Sequence, residues 1–248
     1  MSELLQIRNI RKSFDTHEKR LLVLDGISFD VREGEFISIL GPSGCGKSTL
    51  LRIIAGLEKQ DEGEVLLRGK RIKGPGQDRA MVFQDYALFP WRTVLGNILF
   101  GLEIRKIPKK EALEKAIRFI KLVGLEGFEK SYPHELSGGM RQRVALARAL
   151  VCEPEILLMD EPLSALDAQT RNLMQVELVR IWNETKKTII YVTHNIEEAV
   201  YMADRIAVLS RRPAKLLDLV EVNLERPRDR FSKEFIDLRA RIFRLIQG

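Results

Sequence analysis

The chain has 248 residues, room for one large domain or a domain carrying an insertion, and its 45% apolar content is enough for a packed core. No apolar run approaches the roughly 18 residues that cross a bilayer. The opening Met1-Ser2-Glu3-Leu4-Leu5 has neither the basic nor the apolar region of a signal peptide, so a cytosolic chain is expected. The net charge of +6 arises from mixed signs along most of the chain. Its densest basic stretch, residues 226–244, fits a solvated helical face better than a nucleic-acid site, with attraction to an anionic membrane surface left open. Cys45 and Cys152 form no disulfide or zinc pattern.

Short alternating segments come first (Leu5/Ile7, Ile27/Phe29/Val31, Val65/Leu67) and predict strands, some in an antiparallel layer. Among them, residues 35–40 read as a short buried strand and residues 47–55 as a helix stopped by Gly56. Between strand and helix lies Gly41-Pro42-Ser43-Gly44-Cys45-Gly46-Lys47-Ser48-Thr49, the phosphate-binding loop of an ATP- or GTP-hydrolysing protein. Its glycines let backbone N–H groups turn toward phosphate, and the helix start adds partial positive charge. Lys47 is expected on the β- and γ-phosphates and Ser48 on Mg²⁺. Cys45, beside that charge, is expected to be a reactive thiol that nucleotide protects.

The middle of the chain turns helical. Residues 109–123 place Leu113, Ala116, Ile117, Ile120 and Val123 on an apolar stripe that ends at Gly124. Leu136-Ser137-Gly138-Gly139-Met140-Arg141-Gln142-Arg143 opens a further helix over residues 140–151, again with an anion-ready start. From 155 to 209 strands (156–159, 188–192, 205–209) alternate with helices, and Met174, Leu178, Ile181 and Trp182 mark one helix face. That alternation argues for an α/β fold with a parallel sheet. The strand at 156–159 ends in Asp160 and Glu161, which delivers two carboxylates to the C-terminal edge of the sheet, the edge that also carries the phosphate loop. Asp160 suits a Mg²⁺ ion held through water, and Glu161 suits proton abstraction from an attacking water. A last helix is expected from residue 229.

With phosphate loop, Leu-Ser-Gly-Gly-Met and paired acids in this order, residues 4–225 resemble the ATP-binding subunits of ABC transporters. The resemblance implies a P-loop NTPase (RecA-like) core with a small antiparallel β subdomain and an inserted helical subdomain. It divides the chain into a cassette over residues 1–228, with the helical subdomain at about 90–153, and a C-terminal helix over 229–248. It assigns Gln84 and His194 to the γ-phosphate, with Gln84 also near Mg²⁺, and makes Phe14 the aromatic that stacks on adenine. It assigns Ser137, Gly138, Gly139 and Asp167, the last within Ser164-Ala165-Leu166-Asp167, to the nucleotide of a second copy bound head to tail. ATP and Mg²⁺ are the implied cofactors.

The stretch from Gly74 to Trp91, ending Phe89-Pro90-Trp91, and Ser210-Arg211-Arg212-Pro213 look like the nitrate/sulfonate/taurine importer group. That implies an ATP-hydrolysing energy subunit of an importer for a small anion or related solute of the nitrate, sulfonate, taurine or bicarbonate type, at the cytoplasmic face of the membrane. It would be partnered by transmembrane permease subunits and indirectly by a solute-binding protein, with no nucleic acid. Phe89 and Trp91 are either a docking surface for a permease helix or a turn packed into the core. A soluble ABC-type ATPase acting on DNA or ribosomes, and the cassette of a split exporter, are the alternatives.

Overall fold

The computed structural model describes residues 3–15 and 20–247. In chain order the elements are β1 (Glu3–Asp15), β2 (Arg20–Arg32), β3 (Phe36–Leu40), α1 (Lys47–Ala55), β4 (Glu62–Leu67), β5 (Lys70–Arg71) and β6 (Arg79–Val82). Then follow α2 (Val94–Ile104), α3 (Lys109–Leu122), a 3₁₀ turn (Pro133–Glu135), α4 (Gly138–Leu150), β7 (Ile156–Asp160) and α5 (Ala168–Thr185). The chain closes with β8 (Thr188–Thr193), α6 (Ile196–Met202), β9 (Arg205–Leu209), β10 (Leu216–Glu221) and α7 (Lys233–Gln247). It divides into two compact units, residues 77–186 and the remainder on either side.

The first unit, residues 1–76 with 187–248, holds two layers. β1 pairs antiparallel with β2 and β4, and β4 pairs antiparallel with β5. The β4–β5 turn uses Arg68 and Gly69, both at positive φ, as a two-residue hairpin requires. In the second layer β3 lies between β8 and β9, parallel to both, and β10 closes on β9 antiparallel. All five residues of β3, all six of β8 and all five of β9 are buried. Strands covered on both faces become continuous apolar runs, and each fully buried Ile or Leu contributes roughly 2 kcal/mol. At the foot of this layer the Arg205 guanidinium bonds the buried Glu35 carboxylate, with Nη2 2.8 Å from Oε2, and also Asp30 at 3.0 Å. The Glu35 hydrogen bond leads the causes that hold the Arg205 pKa above its usual value.

The second unit, residues 77–186, pairs β6 with β7 in parallel and surrounds them with α2 to α5. The apolar face of α3 departs from expectation only in part: Ala116, Ile120 and Val123 of the expected stripe are buried. Leu113 and Ile117 are exposed, whereas Ala112, Ala116, Phe119 and Ile120 are buried. Two stripes of similar width compete on this helix, and the one carrying the large Phe119 ring is turned inward. Expected helix starts also move: α4 begins at Gly138 with Ser137 as its cap, and α7 begins at Lys233. Before α7, Asp229 accepts from the Phe231 N–H at 2.9 Å and Ser232 from the Phe235 N–H at 3.3 Å, so residues 229–232 form a turn.

Candidate active site of a nucleotide hydrolase

In the first unit the phosphate loop leaves the end of β3. Lys47 is 3% exposed, and its Nζ donates to the carbonyls of Gly41 at 3.0 Å and Pro42 at 3.1 Å. The ammonium therefore sits across the loop it belongs to. Gly46 has φ 123°, and a Cβ there would lie 2.8 Å from Val23 Cγ1 and 2.9 Å from Leu24 Cδ2. Only glycine lets the loop lie this close to β2. Gly44, at φ 73°, faces open space. Ser43 is exposed, and Ser48 and Thr49 are half-buried at the helix start. Gly56 ends α1 in the left-handed conformation, as read from the sequence.

Cys45 corrects the expectation of a reactive thiol. It is 2% exposed, and its Sγ lies 3.0 Å from where a Cβ on Gly41 would be, so the side chain packs under the loop. Phe14 lies near the end of β1 and is 37% exposed, with Lys12 Nζ 4.8 Å from its ring centroid. It is not a core residue. Lys12 pairs with Leu24, the residue against which Gly46 packs, so Phe14 lies two residues along β1 from the strand contact that backs the phosphate loop.

His194 follows β8 directly and is exposed. In the parallel register Leu40 faces Thr193, so Gly41 and His194 leave the sheet at the same edge. Asn195 caps α6, accepting from the N–H groups of Glu197 at 2.9 Å and Glu198 at 3.3 Å. His194, Asn195 and Glu197 line one side of a groove of about 810 Å³ whose other side is α7.

The basic tail serves this region and is only in part the solvated face expected. Arg228 is 6% exposed and donates to the carbonyls of Val200, Tyr201 and Ala203 at the end of α6. Burial, aided by the nearby Arg226 charge, pushes its pKa down to about 10. Arg226 pairs with Asp204 at 2.7 Å, and Arg230 and Arg239 reach Glu197 at 3.2 and 3.6 Å.

In the second unit the β6–β7 register sets Val82 opposite Met159, so Gln84 and the pair Asp160–Glu161 emerge at one edge. Asp160 is 6% exposed. Glu161 is half-buried at φ 43°, a conformation costly for a residue with a side chain and one that gathers at functional sites. Its carbonyl accepts from Ser164 N at 3.1 Å and Ser164 Oγ at 2.8 Å, which fixes the turn after β7.

The same unit brings Ser137–Gly139 and Ser164–Asp167 together. A Cβ on Gly138 would lie 3.0 Å from Leu166 Cδ2, and one on Gly139 would lie 3.1 Å from Thr170 Cγ2. These two glycines are needed for close approach, since neither has a positive φ. Ser137 Oγ accepts from Met140 N at 3.3 Å, and Asp167 accepts from Thr170 N at 3.0 Å. Both residues remain exposed. Hydrogen bonds to Thr170 hold the Asp167 carboxyl below its usual pKa.

Phe89 and Trp91 divide between the two readings given to them. Phe89 packs on Phe100, centroids 4.5 Å apart, while Trp91 is 71% exposed. The turn carrying them is stapled by buried Asn97, whose Nδ2 donates to the carbonyls of Phe89, Arg92 and Thr93 and whose Oδ1 accepts from Phe89 N.

Residues 24–164 match the family model described as ABC transporter. This chain belongs to the ABC transporter family, as an ATP-hydrolysing subunit. An uncharacterised ABC transporter ATP-binding protein of Methanocaldococcus jannaschii is 56% identical, over 98% of this chain and 91% of the relative. The aliphatic sulfonates import ATP-binding protein of Bacillus licheniformis is 48% identical, over 97% of this chain and 93% of its own length. The dimeric, post-hydrolysis structure of the ATP-binding cassette MJ0796 with ADP and Pi superposes with a TM-score of 0.78 at 33% identity, covering 89% of this chain and 99% of that one. The fold is thus the α/β cassette fold. Among the described residues no helix is long and apolar enough to cross a membrane.

Arg148 and Asn97 are functional-site neighbours that sequence reasoning missed. The available signals were a charged residue between Ala147 and Ala149 in the largely buried second half of α4, and an amide within the apolar α2.

Proposed function

We propose that this chain is the energy subunit of an importer for a small anion or related solute, with an aliphatic sulfonate as the first substrate class and nitrate, taurine and bicarbonate as the others. The observation that carries the reading is its 44–48% identity, over 96–97% of its length, to Bacillus proteins named as aliphatic sulfonates import ATP-binding subunits. Under this reading the cassette covers residues 1–228, with 90–153 as its helical insertion and 229–248 as an appendage. It works at the cytoplasmic face of the membrane, on transmembrane permease subunits served by a solute-binding protein. Exposed Trp91 offers the grip for a permease helix, and Asn97 fixes the turn that presents it.

The residues fit the chemistry of ATP hydrolysis. Loop N–H groups from Gly41 to Gly46 and the Lys47 ammonium hold the β- and γ-phosphates. Ser48, Gln84 and Asp160 supply hard oxygen donors for Mg²⁺. Among the described residues no group of three or more His, Cys, Asp or Glu side chains forms a metal cage, which suits an ion bound largely through phosphates and water. When bound, Mg²⁺ neutralises charge that develops on the phosphates. Glu161 accepts the proton of the attacking water, and Gln84 and His194 contact the γ-phosphate. Phe14 stacks on adenine. Ser137, Gly138, Gly139 and Asp167 serve the nucleotide of a second copy, so that ATP holds two chains together and hydrolysis releases them.

The test is uptake of labelled alkanesulfonate, taurine, nitrate and bicarbonate by vesicles carrying the reconstituted complex. ATP-dependent uptake of alkanesulfonate, lost in Glu161→Gln, is expected. Absence of uptake for all four solutes would overturn the importer assignment.

A further inference from the structure

Glu198 carries a buried carboxylate that none of the roles above uses. It is 5% exposed, in the first turn of α6. Its Oε2 accepts two hydroxyl hydrogen bonds, from Tyr191 Oη at 2.9 Å and from Thr193 Oγ1 at 2.8 Å. Both donors belong to the end of β8. Thr193 Oγ1 in turn accepts from the Asn195 backbone N–H at 3.0 Å, and the Asn195 side chain caps the helix that carries Glu198. The network closes on itself around one residue, His194, whose neighbours on both sides are anchored.

Taking a carboxylate out of water is unfavourable unless its oxygens are bonded, so an apolar residue would fill this space at lower cost. What the carboxylate adds is direction: two short bonds from one strand fix where the helix begins. We propose that Glu198 is a positioning residue for ATP hydrolysis, locking β8 to α6 through Tyr191 and Thr193 and thereby holding the His194 turn. The proposal rests on the reading of His194 as a γ-phosphate contact.

Full-length variants are compared for kcat, KM for ATP, ATP affinity and thermal unfolding. Misplacement of a catalytic group by about 1 Å costs on the order of a hundredfold, so Tyr191→Phe, Thr193→Val and Glu198→Leu are each expected to lower kcat about tenfold, with KM and affinity within about twofold of wild type. Thr193→Ser keeps the hydroxyl that bonds Glu198 and recovers most of the rate. Wild-type kcat in folded Tyr191→Phe and Thr193→Val, or equal losses in Thr193→Ser and Thr193→Val, would overturn the proposal; these two positions decide even where Glu198→Leu does not fold. His194→Ala separates the two ideas. Wild-type turnover in His194→Ala defeats the reading of His194 and the proposal with it. An inactive His194→Ala beside unaffected Tyr191 and Thr193 variants defeats the proposal alone.

Discussion

The guanidinium of Arg148, on α4, donates to the carbonyl of Tyr86 with Nη2 at 2.8 Å, and its Nη1 reaches the next carbonyl, of Ala87, at 2.7 Å. Tyr86 and Ala87 are both left-handed, at φ 62° and 45°, and Gln84 lies just before them. Burial pushes the Arg148 pKa down, and its plane lies 5.6 Å from the Phe89 ring. One residue thus ties the helix that begins at Ser137 to the loop running from Gln84 to Phe89. Strained backbone persists only where its surroundings determine it, and Arg148 supplies that determination here.

Arg148→Gln should therefore destabilise the protein by about 2 kcal/mol, the scale of losing charge-assisted hydrogen bonds to backbone carbonyls. Arg148→Lys should restore little, since a single ammonium lacks the planar fork that spans two carbonyls. Chemical denaturation measures the first effect, and ATP turnover should fall with it as the Gln84 loop loosens. Unchanged stability in both variants would remove Arg148 from this role.

Glu161 combines a strained φ with the assigned base. Glu161→Gly should relieve up to ~1 kcal/mol of strain and raise the melting temperature while abolishing hydrolysis. Glu161→Gln should abolish hydrolysis with no gain in stability and leave ATP binding intact. Thermal unfolding beside a turnover assay separates strain from chemistry at this position.

The two left-handed glycines of the phosphate loop should respond differently. Gly44→Ala meets open space and incurs only the conformational cost, about 1–2 kcal/mol. Gly46→Ala adds a collision with Val23 and Leu24 to its unfavourable φ. It should lose nucleotide affinity and stability by a clearly larger margin, measured by fluorescent ATP titration and denaturation. Equal effects would mean that the β2 contact does not constrain the loop.

The Arg180 hydrogen bond holds the Glu177 carboxyl below its usual pKa of 4.5, against the opposing effect of burial. A carboxylate depressed in the folded state adds stability that is fully present above pH 4.5 and lost as pH falls through the folded value. Wild type should exceed Glu177→Gln by about 1 kcal/mol or less at pH 7, a small figure because Arg180 is partly exposed. The difference should shrink as the pH falls below 4.5 and Glu177 takes up its proton. A constant difference across the range would assign the effect to packing.

The motifs were legible because their chemistry restricts residue choice. A loop that wraps phosphate needs glycine, and a buried strand that ends in acids stands out against its apolar run. Arg148 was not legible because its partners are backbone carbonyls, which any sequence possesses. The burial of Cys45 depends on which way one side chain turns beneath Gly41, and the inward face of α3 depends on what lies opposite it. Neither is written in periodicity. Gly138 and Gly139 read as an anion-ready helix start, yet they also answer to Leu166 and Thr170, more than two dozen residues downstream.

In the proposed dimer one chain supplies the phosphate loop and its partner supplies Ser137 to a shared ATP site. Ser137→Arg and Lys47→Ala chains, each inactive alone, are mixed and ATP turnover is measured. The mixed dimer retains one intact composite site, so turnover is predicted to return well above the sum of the separate variants. No recovery, in a mixture shown to exchange subunits, would contradict a site shared between two copies.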